Sequence, residues 1–208
     1  MPPSNPRTHF SMLRTFHAAD FLTLLNGIAG MGAILAFLRF CTDGQPSSFW
    51  IGAFLLPVAL LFDVMDGRVA RLRNEASALG RELDSLADIV SFGVAPAVMG
   101  FAVGLRGGWD LLCLLLFVAC GISRLARYNV TAETLSDARG KVKYFEGFPI
   151  PSSLMIALAL AILVALGHPP HTALGVVSLG PADLHVIALV YVLHGAAMIS
   201  KTLHIPKP

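Results

Sequence analysis

The chain has 208 residues, of which 55% are hydrophobic and 13% charged, and its formal net charge is +2. Its mean hydropathy of +0.71 is far above that of a domain that must cover its own surface with polar side chains. This composition excludes an ordinary water-soluble enzyme and indicates an integral membrane protein. The three cysteines, Cys41, Cys113 and Cys120, have neither a pairing pattern nor metal-ligand spacing, so we expect no disulfide and no zinc site.

Six apolar stretches have about the 20 residues that a helix needs to cross a bilayer. They are residues 17–40, 48–67, 85–106, 109–127, 149–167 and 182–201. We therefore predict an all-α membrane protein with six transmembrane helices, in a single domain covering residues 1–208. Residues 1–16 mix apolar side chains with arginine, which favours either a short helix on the membrane surface or an irregular lead-in.

Basic residues near the ends of these spans fall mostly on one side. They occur before the first span, at 68–81, at 124–143 and after the sixth span, whereas only Arg39 and Arg106 fall on the other side. Because Lys and Arg in short loops orient membrane proteins towards the cytoplasm, both termini and both polar loops are expected there. The resulting prediction is a multi-pass protein of the cell (inner) membrane with a polar cleft that faces the cytoplasm.

Polar residues inside the first span form a small group that consists of Asp20, Thr23 and Asn26. Thr23 and Asn26 lie one helical turn apart and so share a face. They could line a site or hydrogen-bond to a neighbouring helix, and we favour the site. His194, in the sixth span, is expected to make an interhelical hydrogen bond.

Four aspartates dominate the second and third spans. Asp63 and Asp66 end the second span, and Asp84 and Asp88 begin the third, each pair at a spacing that puts both carboxylates on one helix face. Pairing with loop arginines would explain one such aspartate. It does not explain four, because carboxylates in apolar stretches cost several kcal/mol each unless cations neutralise them. Their all-oxygen ligand set favours Mg²⁺, Mn²⁺ or Ca²⁺.

The spacing D-x2-D-G-x2-A-R-x8-G-x3-D-x3-D, from Asp63 to Asp88, resembles the complete signature of the CDP-alcohol phosphotransferases. The resemblance implies a six-helix membrane fold, usually a homodimer, with two Mg²⁺ or Mn²⁺ ions held by the four aspartates. It also implies a CDP site to which the residues of the first span would add. The predicted CDP-binding residues are Thr23, Asn26, Gly67, Ala70, Arg71, Ser77 and Gly80.

Further segments resemble the serine-accepting branch of this family in its small prokaryotic form, including the archaeal members. They are LTLLNGIAG at 22–30, GRELDSLADIVSFGVAPA at 80–97, SRLARYNV at 123–130 and YFEGFPIPSS at 144–153. The resemblance implies transfer of a phosphatidyl group from CDP-diacylglycerol to L-serine, which gives phosphatidylserine and CMP. One departure stands at Ala19-Asp20, where family members often have Pro-Asn, and it leaves the role of Asp20 open.

For this reaction Asp88, the deepest aspartate of the third span, is the candidate general base for the serine hydroxyl. Serine carries a carboxylate and an ammonium group, so its pocket needs a forked cation and an acceptor. Arg124, Arg127 and Asn129 are the candidates. Anchoring on the cytoplasmic side explains each arginine equally well.

Two kinds of alternative stay open. The acceptor could be glycerol phosphate, inositol phosphate or choline, and the donor could be an archaeal CDP-lipid. From a different class, a divalent-cation transporter would also bury carboxylates. A pore should carry them through the depth of the membrane, whereas these four cluster towards one face.

Overall fold

The computed structural model describes residues 17–73, 78–135, 144–200 and 204–206. The predicted surface helix at 1–16 and the predicted CDP-binding residue Ser77 lie outside these ranges. The described residues are mostly helical, as predicted. The helices are α1 (Ala18–Asp43), α2 (Pro46–Arg73), α3 (Ala78–Asp88), α4 (Ala95–Ala102), α5 (Gly108–Leu135), α6 (Leu154–Ala165) and α7 (Ala188–Ile199).

Helices α1 and α2 form a hairpin and pack along each other. A capping box opens α1, in which the Asp20 carboxylate accepts the His17 backbone N–H at 2.8 Å. The helix ends at Gly44, whose left-handed φ of +64° lets its N–H reach the Phe40 carbonyl. Two residues later α2 begins, and it runs back to the polar end of the molecule.

The third predicted span is one continuous rod with an irregular centre. A π-helical turn at Ile89–Val94 joins α3 to α4 directly after Asp88. Such turns are rare and concentrate at functional sites. The turn packs against α1 and α5, so the aspartates of α3 sit on a segment that two other helices hold.

The second half of the chain contains short strands between its helices. Strand β1 (Tyr144–Glu146) pairs antiparallel with β4 (His204–Pro206), with Phe145 opposite Ile205. Short 3₁₀ turns lie at Ile150–Ser153, before α6, and at Pro170–Thr172. Strands β2 (Val176–Leu179) and β3 (Ala182–His185) form an antiparallel hairpin with Leu179 opposite Ala182.

Among the described residues, four helices are long and apolar enough to cross a membrane: Ala18–Asp43, Pro46–Arg73, Leu79–Ala102 and Gly108–Val130. The first four predicted spans therefore have matching helices. The remaining two apolar helices, Ile150–Ala165 and Ala188–Ile199, are shorter. At 1.5 Å per residue they are about 24 and 18 Å long, against about 30 Å for the hydrocarbon core.

The sixth predicted span is wrong at its start. Residues 182–185 form strand β3, because Gly180 (φ +67°) and Pro181 turn the chain and pair it with β2 before α7 begins at Ala188. The apolar residues from Val186 onwards outweigh Asp183 and His185 in a window of span length, so hydropathy alone merged the strand and the helix into one span.

The core is built from aromatic and small residues. Phe37 and Phe49 are buried between α1 and α2, with ring centroids 5.8 Å apart. On the other side of the molecule α5 packs against α7, where Phe117 and Tyr191 stack edge to face at 5.3 Å. The buried Tyr191 hydroxyl donates to the Pro96 carbonyl at 2.8 Å, which ties α7 to α4. His194 bonds with Ser152 at 2.9 Å, so the interhelical bond predicted for it is confirmed.

Candidate metal centre and substrate cleft

A cleft of about 540 Å³ opens between the ends of α1, α2, α3 and α5. Its volume falls in the range of about 300–1,000 Å³ that is typical of small-molecule sites. Eleven of the fourteen predicted site residues line it: Thr23, Asp63, Asp66, Gly67, Ala70, Arg71, Gly80, Asp84, Asp88, Arg124 and Asn129. Residues from distant parts of the chain thus meet in one cavity.

Three of the four aspartates converge closely. Asp63, Asp66 and Asp84 each present one carboxylate oxygen, and the three oxygens lie within 4.8 Å of one another. Asp66 is 5% exposed, and Asp63 and Asp84 are partly buried. Asp88 is 7% exposed and lines the same cleft one turn deeper on α3. Residues near the end of α2 and along α3 therefore bring four carboxyl groups into one cleft.

Side chains of α1 support two of these carboxylates. The Thr23 hydroxyl donates to Asp66 Oδ2 at 2.7 Å, and the Asn26 amide donates to Asp88 Oδ1 at 3.2 Å. Thr23 lines the cleft, whereas Asn26 is fully buried behind Asp88 and is not part of the lining. The predicted contact of Asn26 with CDP stays a prediction.

The donor set fits a hard divalent cation. Carboxylate oxygens are the ligands that Mg²⁺ and Mn²⁺ prefer, and three of them already converge here. The cleft also has room for a ligand beside them. Gly67 lines the cavity, and a Cβ added there would meet nothing nearer than the Arg71 guanidinium at 3.6 Å. Packing within the described part of the chain thus leaves this glycine free for a ligand.

Arg124 is the cation that faces the deepest aspartate. It lines the cleft on α5, is 7% exposed, and its Nε is buried without a hydrogen-bond partner among the described residues. A buried, unpaired donor at the wall of a cavity is costly unless a ligand engages it. Arg124 is therefore suited to bind an anionic group of a substrate.

The other two predicted acceptor residues differ from Arg124. Asn129 lines the cleft, and its amide also contacts Ser85 Oγ at 3.0 Å and Glu82 Oε1 at 3.4 Å. Arg127 does not line it, and its Nη1 donates to the Ile199 carbonyl at 3.2 Å, at the end of α7. The role of Arg127 in acceptor binding stays a prediction.

Several lining residues escaped the sequence argument. Asp20, whose role was open, is 3% exposed and lines the cleft next to Thr23. Pro149 and Pro151 belong to the segment YFEGFPIPSS, whose family resemblance did not tell where it lies in the fold. For Arg81, Ser85 and Tyr128 the sequence showed no sign of a site role except that they lie close to predicted site residues along the chain. All of these line the same cavity.

Comparisons with known proteins agree with this site. Residues 16–199 match the family model described as CDP-alcohol phosphatidyltransferase. A Saccharomyces cerevisiae protein named CDP-diacylglycerol–serine O-phosphatidyltransferase is 47% identical over 204 residues, which cover 96% of this chain and 74% of that protein.

Proteins of the same name from two other organisms are more distant. The Mycobacterium leprae protein is 36% identical over 68% of this chain and 45% of its own length. The Methanocaldococcus jannaschii protein is 34% identical over 74% of this chain and 65% of its own length. The chain belongs to the CDP-alcohol phosphatidyltransferase family, so the resemblance that its signature carries is confirmed.

Proposed function

From this family membership and the geometry of the cleft, we propose that the chain is a CDP-diacylglycerol–serine O-phosphatidyltransferase. It transfers a phosphatidyl group from CDP-diacylglycerol to the hydroxyl of L-serine and releases CMP. The observation that carries this proposal is the convergence of three carboxylates beside a buried arginine in a cavity of substrate size. The relatives that match the chain bear the name of this activity.

The carboxylates of Asp63, Asp66, Asp84 and Asp88 would hold the metal, as two Mg²⁺ or Mn²⁺ ions. Such ions neutralise the charge of a pyrophosphate and stabilise the charge that develops on its leaving oxygen. The chain's own contribution is to keep the four carboxylates in place at the cleft wall, where Thr23 supports Asp66 and Asn26 supports Asp88. Gly67 and Ala70 give the nucleotide room to approach α2.

In the reaction, the serine hydroxyl oxygen forms a bond to the phosphorus next to the lipid, and the bond from that phosphorus to the CMP oxygen breaks. Asp88 accepts the hydroxyl proton. CMP leaves with the electron pair of the broken bond. Correct placement of the two reactants provides much of the acceleration, because it removes the entropy cost of bringing them together.

Arg124 is the candidate for the serine carboxylate. Its guanidinium is planar and forked, which matches a carboxylate with two hydrogen bonds. Arg124 and Asp88 both line the cleft, so a serine whose carboxylate is bound at Arg124 would present its hydroxyl to the proposed base. Asn129 lies five residues further along α5, also lines the cleft and is suited to contact the ammonium group.

The enzyme acts in a membrane as a homodimer, with the cleft on the cytoplasmic side, where soluble serine and CMP are found. Four helices with the length and hydropathy of membrane spans support the membrane location. The lipid tails of the donor then stay in the bilayer while its CDP headgroup enters the cleft.

The test is a direct assay. Purified protein is incubated with CDP-diacylglycerol, Mg²⁺ or Mn²⁺, and one of several acceptors: serine, glycerol phosphate, inositol phosphate or choline. We expect CMP release with serine only, together with phosphatidylserine in equal amount. CMP release with a different acceptor would show that this acceptor, and not serine, is the substrate. No CMP release with any acceptor would reject the proposed transferase activity.

A further inference from the structure

Asn26 occupies an unusual position in α1. It is fully buried and lies behind Asp88, outside the lining of the cleft. Its side-chain amide donates to Asp88 Oδ1 at 3.2 Å, and its main-chain carbonyl accepts the Ser91 hydroxyl at 2.9 Å. One residue of α1 thus contacts α3 and the π-helical turn on both sides of the point where they join.

The side-chain amide of Asn26 lowers the stability of the fold. Its Oδ1 is buried and has no hydrogen-bond partner among the described residues. An unsatisfied buried acceptor is destabilising, and replacing a polar group by an apolar one of the same shape is often neutral or favourable. Leucine has that shape. Packing alone therefore does not explain an asparagine here, whereas its N–H bond to Asp88 does.

The position of Asp88 depends on the π-helical turn that follows it. Asp88 is the last residue before the turn, which spans Ile89–Val94. Within the turn, the Phe92 carbonyl accepts the Ser153 hydroxyl at 2.6 Å. Gly30 lies against Ser91 so closely that a Cβ on it would overlap the Ser91 hydroxyl. The turn is thus gripped by α1 through Ser91 and by the segment before α6 through Ser153.

We propose that Asn26 is a positioning residue that acts through Asp88. Its amide fixes the direction of the Asp88 carboxylate, and its carbonyl, through Ser91, fixes the turn that follows. This inference rests on the proposed function, since it gives Asp88 its task at the metal centre. It differs from a direct contact of Asn26 with CDP, which the buried position of the side chain does not favour.

The test uses Asn26→Leu in the purified full chain, with two readouts. Binding of Mn²⁺ is measured by electron paramagnetic resonance without substrates, and CMP release is measured with both substrates varied. We expect the dissociation constant for Mn²⁺ to rise and kcat to fall by about 10- to 100-fold, as for other residues that orient metal ligands. The KM for CDP-diacylglycerol should stay within about threefold of that of the wild type.

Two further variants make the result interpretable. Ser91→Ala removes the neutral hydrogen bond from the Ser91 hydroxyl to the Asn26 carbonyl. It should weaken Mn²⁺ binding, as Asn26→Leu does, by about three- to tenfold. It also keeps the proposal testable if Asn26→Leu does not fold. Tyr191→Phe is the matched control, because it removes a buried hydrogen bond to Pro96, and neither residue lines the cleft. Its Mn²⁺ affinity and kcat should equal those of the wild type.

Other outcomes would overturn the proposal. A KM for CDP-diacylglycerol raised tenfold, with Mn²⁺ affinity unchanged, would mean that Asn26 contacts the nucleotide. Unchanged Mn²⁺ affinity and kcat, with only a lower Tm, would mean a purely structural role. Because Mn²⁺ binding is measured without substrates, a wild-type chain that failed to use serine would reject the proposed function and still leave this inference testable.

Discussion

Buried carboxylates occur at two places in the described part of the molecule, and they are satisfied very differently. At one end of α5, Asp110 is 0% exposed and accepts three hydrogen bonds: from the Gly107 N–H at 2.8 Å, the His185 N–H at 2.8 Å and the His185 ring Nδ1 at 2.6 Å. These bonds tie the β2–β3 hairpin to the start of α5.

At the cleft, the carboxylates outnumber the side-chain donors that reach them. Among the described residues, five aspartates line the cleft, Asp20 and the four predicted metal ligands. Side chains of α1 supply one donor to Asp66 and one to Asp88. Burial as such therefore does not mark a functional site in this protein. A lone carboxylate with three donors ties two elements of the fold together, whereas the carboxylates in the cleft outnumber their side-chain donors, which supports the proposed cation site.

The largest expected effect that sharpens this comparison is on turnover. Asp88→Asn removes the proposed base and should lower kcat by about 10²- to 10⁴-fold, with much of the binding of CDP-diacylglycerol preserved. Asp110→Asn is the matched change at the other carboxylate and should leave kcat of the folded protein within about twofold. Both are measured by CMP release from purified protein. A near-normal kcat for Asp88→Asn would show that Asp88 is not the general base.

The second effect is the response of stability to metal. A ligand that binds only the folded state at 100 times its dissociation constant stabilises that state by about 2.7 kcal/mol. Mn²⁺ should therefore raise the Tm of the wild type and of Asp110→Asn, and raise that of Asp84→Asn far less. Thermal unfolding with and without Mn²⁺ checks this, and addition of a chelator should reverse it. An equal shift in all three proteins would place the metal elsewhere.

The same contrast extends to two arginines. The Nε of Arg124 is buried without a partner in the described ranges, whereas the Nε of Arg106, at the opposite end, donates to the Phe101 carbonyl at 3.2 Å. Arg124→Lys should raise the serine KM by roughly 10- to 100-fold, because a charge-assisted bond is worth about 1.5–3 kcal/mol.

Arg106→Lys serves as the control and should leave both KM values unchanged. The measurement is initial-rate kinetics with serine and CDP-diacylglycerol varied separately. If Arg124→Lys raised the KM for CDP-diacylglycerol as much as that for serine, Arg124 would be a nucleotide or lipid contact.

The smallest effect concerns Asp110 itself. Asp110→Asn weakens its bonds to two N–H groups and to His185 and should lower the free energy of unfolding by about 1–3 kcal/mol. Asp183→Asn, on the exposed side of the hairpin, changes a bond to Ser178 and should leave the Tm unaltered. Chemical denaturation in detergent would check both. An Asp110→Asn variant as stable as the wild type would contradict the structural role of this carboxylate.

The aspartates of the site could be predicted because their chemistry is local. Asp63 and Asp66 share one helix face and Asp84 and Asp88 another, and only helical spacing is needed to see it. Four carboxylates in apolar segments are also destabilising in any fold unless cations neutralise them, so a cation site was the simplest expectation. Their convergence between α2 and α3 follows from the short connection between the two helices.

Asn26, Arg127 and the start of the sixth span show the limit of that reasoning. The letters around Asn26 do not say that its amide is turned away from the cleft and onto Asp88, because this depends on how α1 packs against α3. Arg124 and Arg127 are equivalent in the sequence, yet one lines the cleft and the other bonds to Ile199. Hydropathy did not separate β3 from α7, since the apolar residues of α7 outweigh Asp183 and His185 in a window of span length.

The sequence by itself determined the membrane character, the helical class, the family signature and the four carboxylates, because each depends on composition or on spacing within one helix. Only the tertiary structure decided which carboxylates are satisfied by several protein donors and which line the cleft that we propose as a metal site. That distinction depends on distances between elements that lie far apart along the chain, such as those from Asn26 to Asp88 and from His185 to Asp110, and spacing along the chain does not specify them.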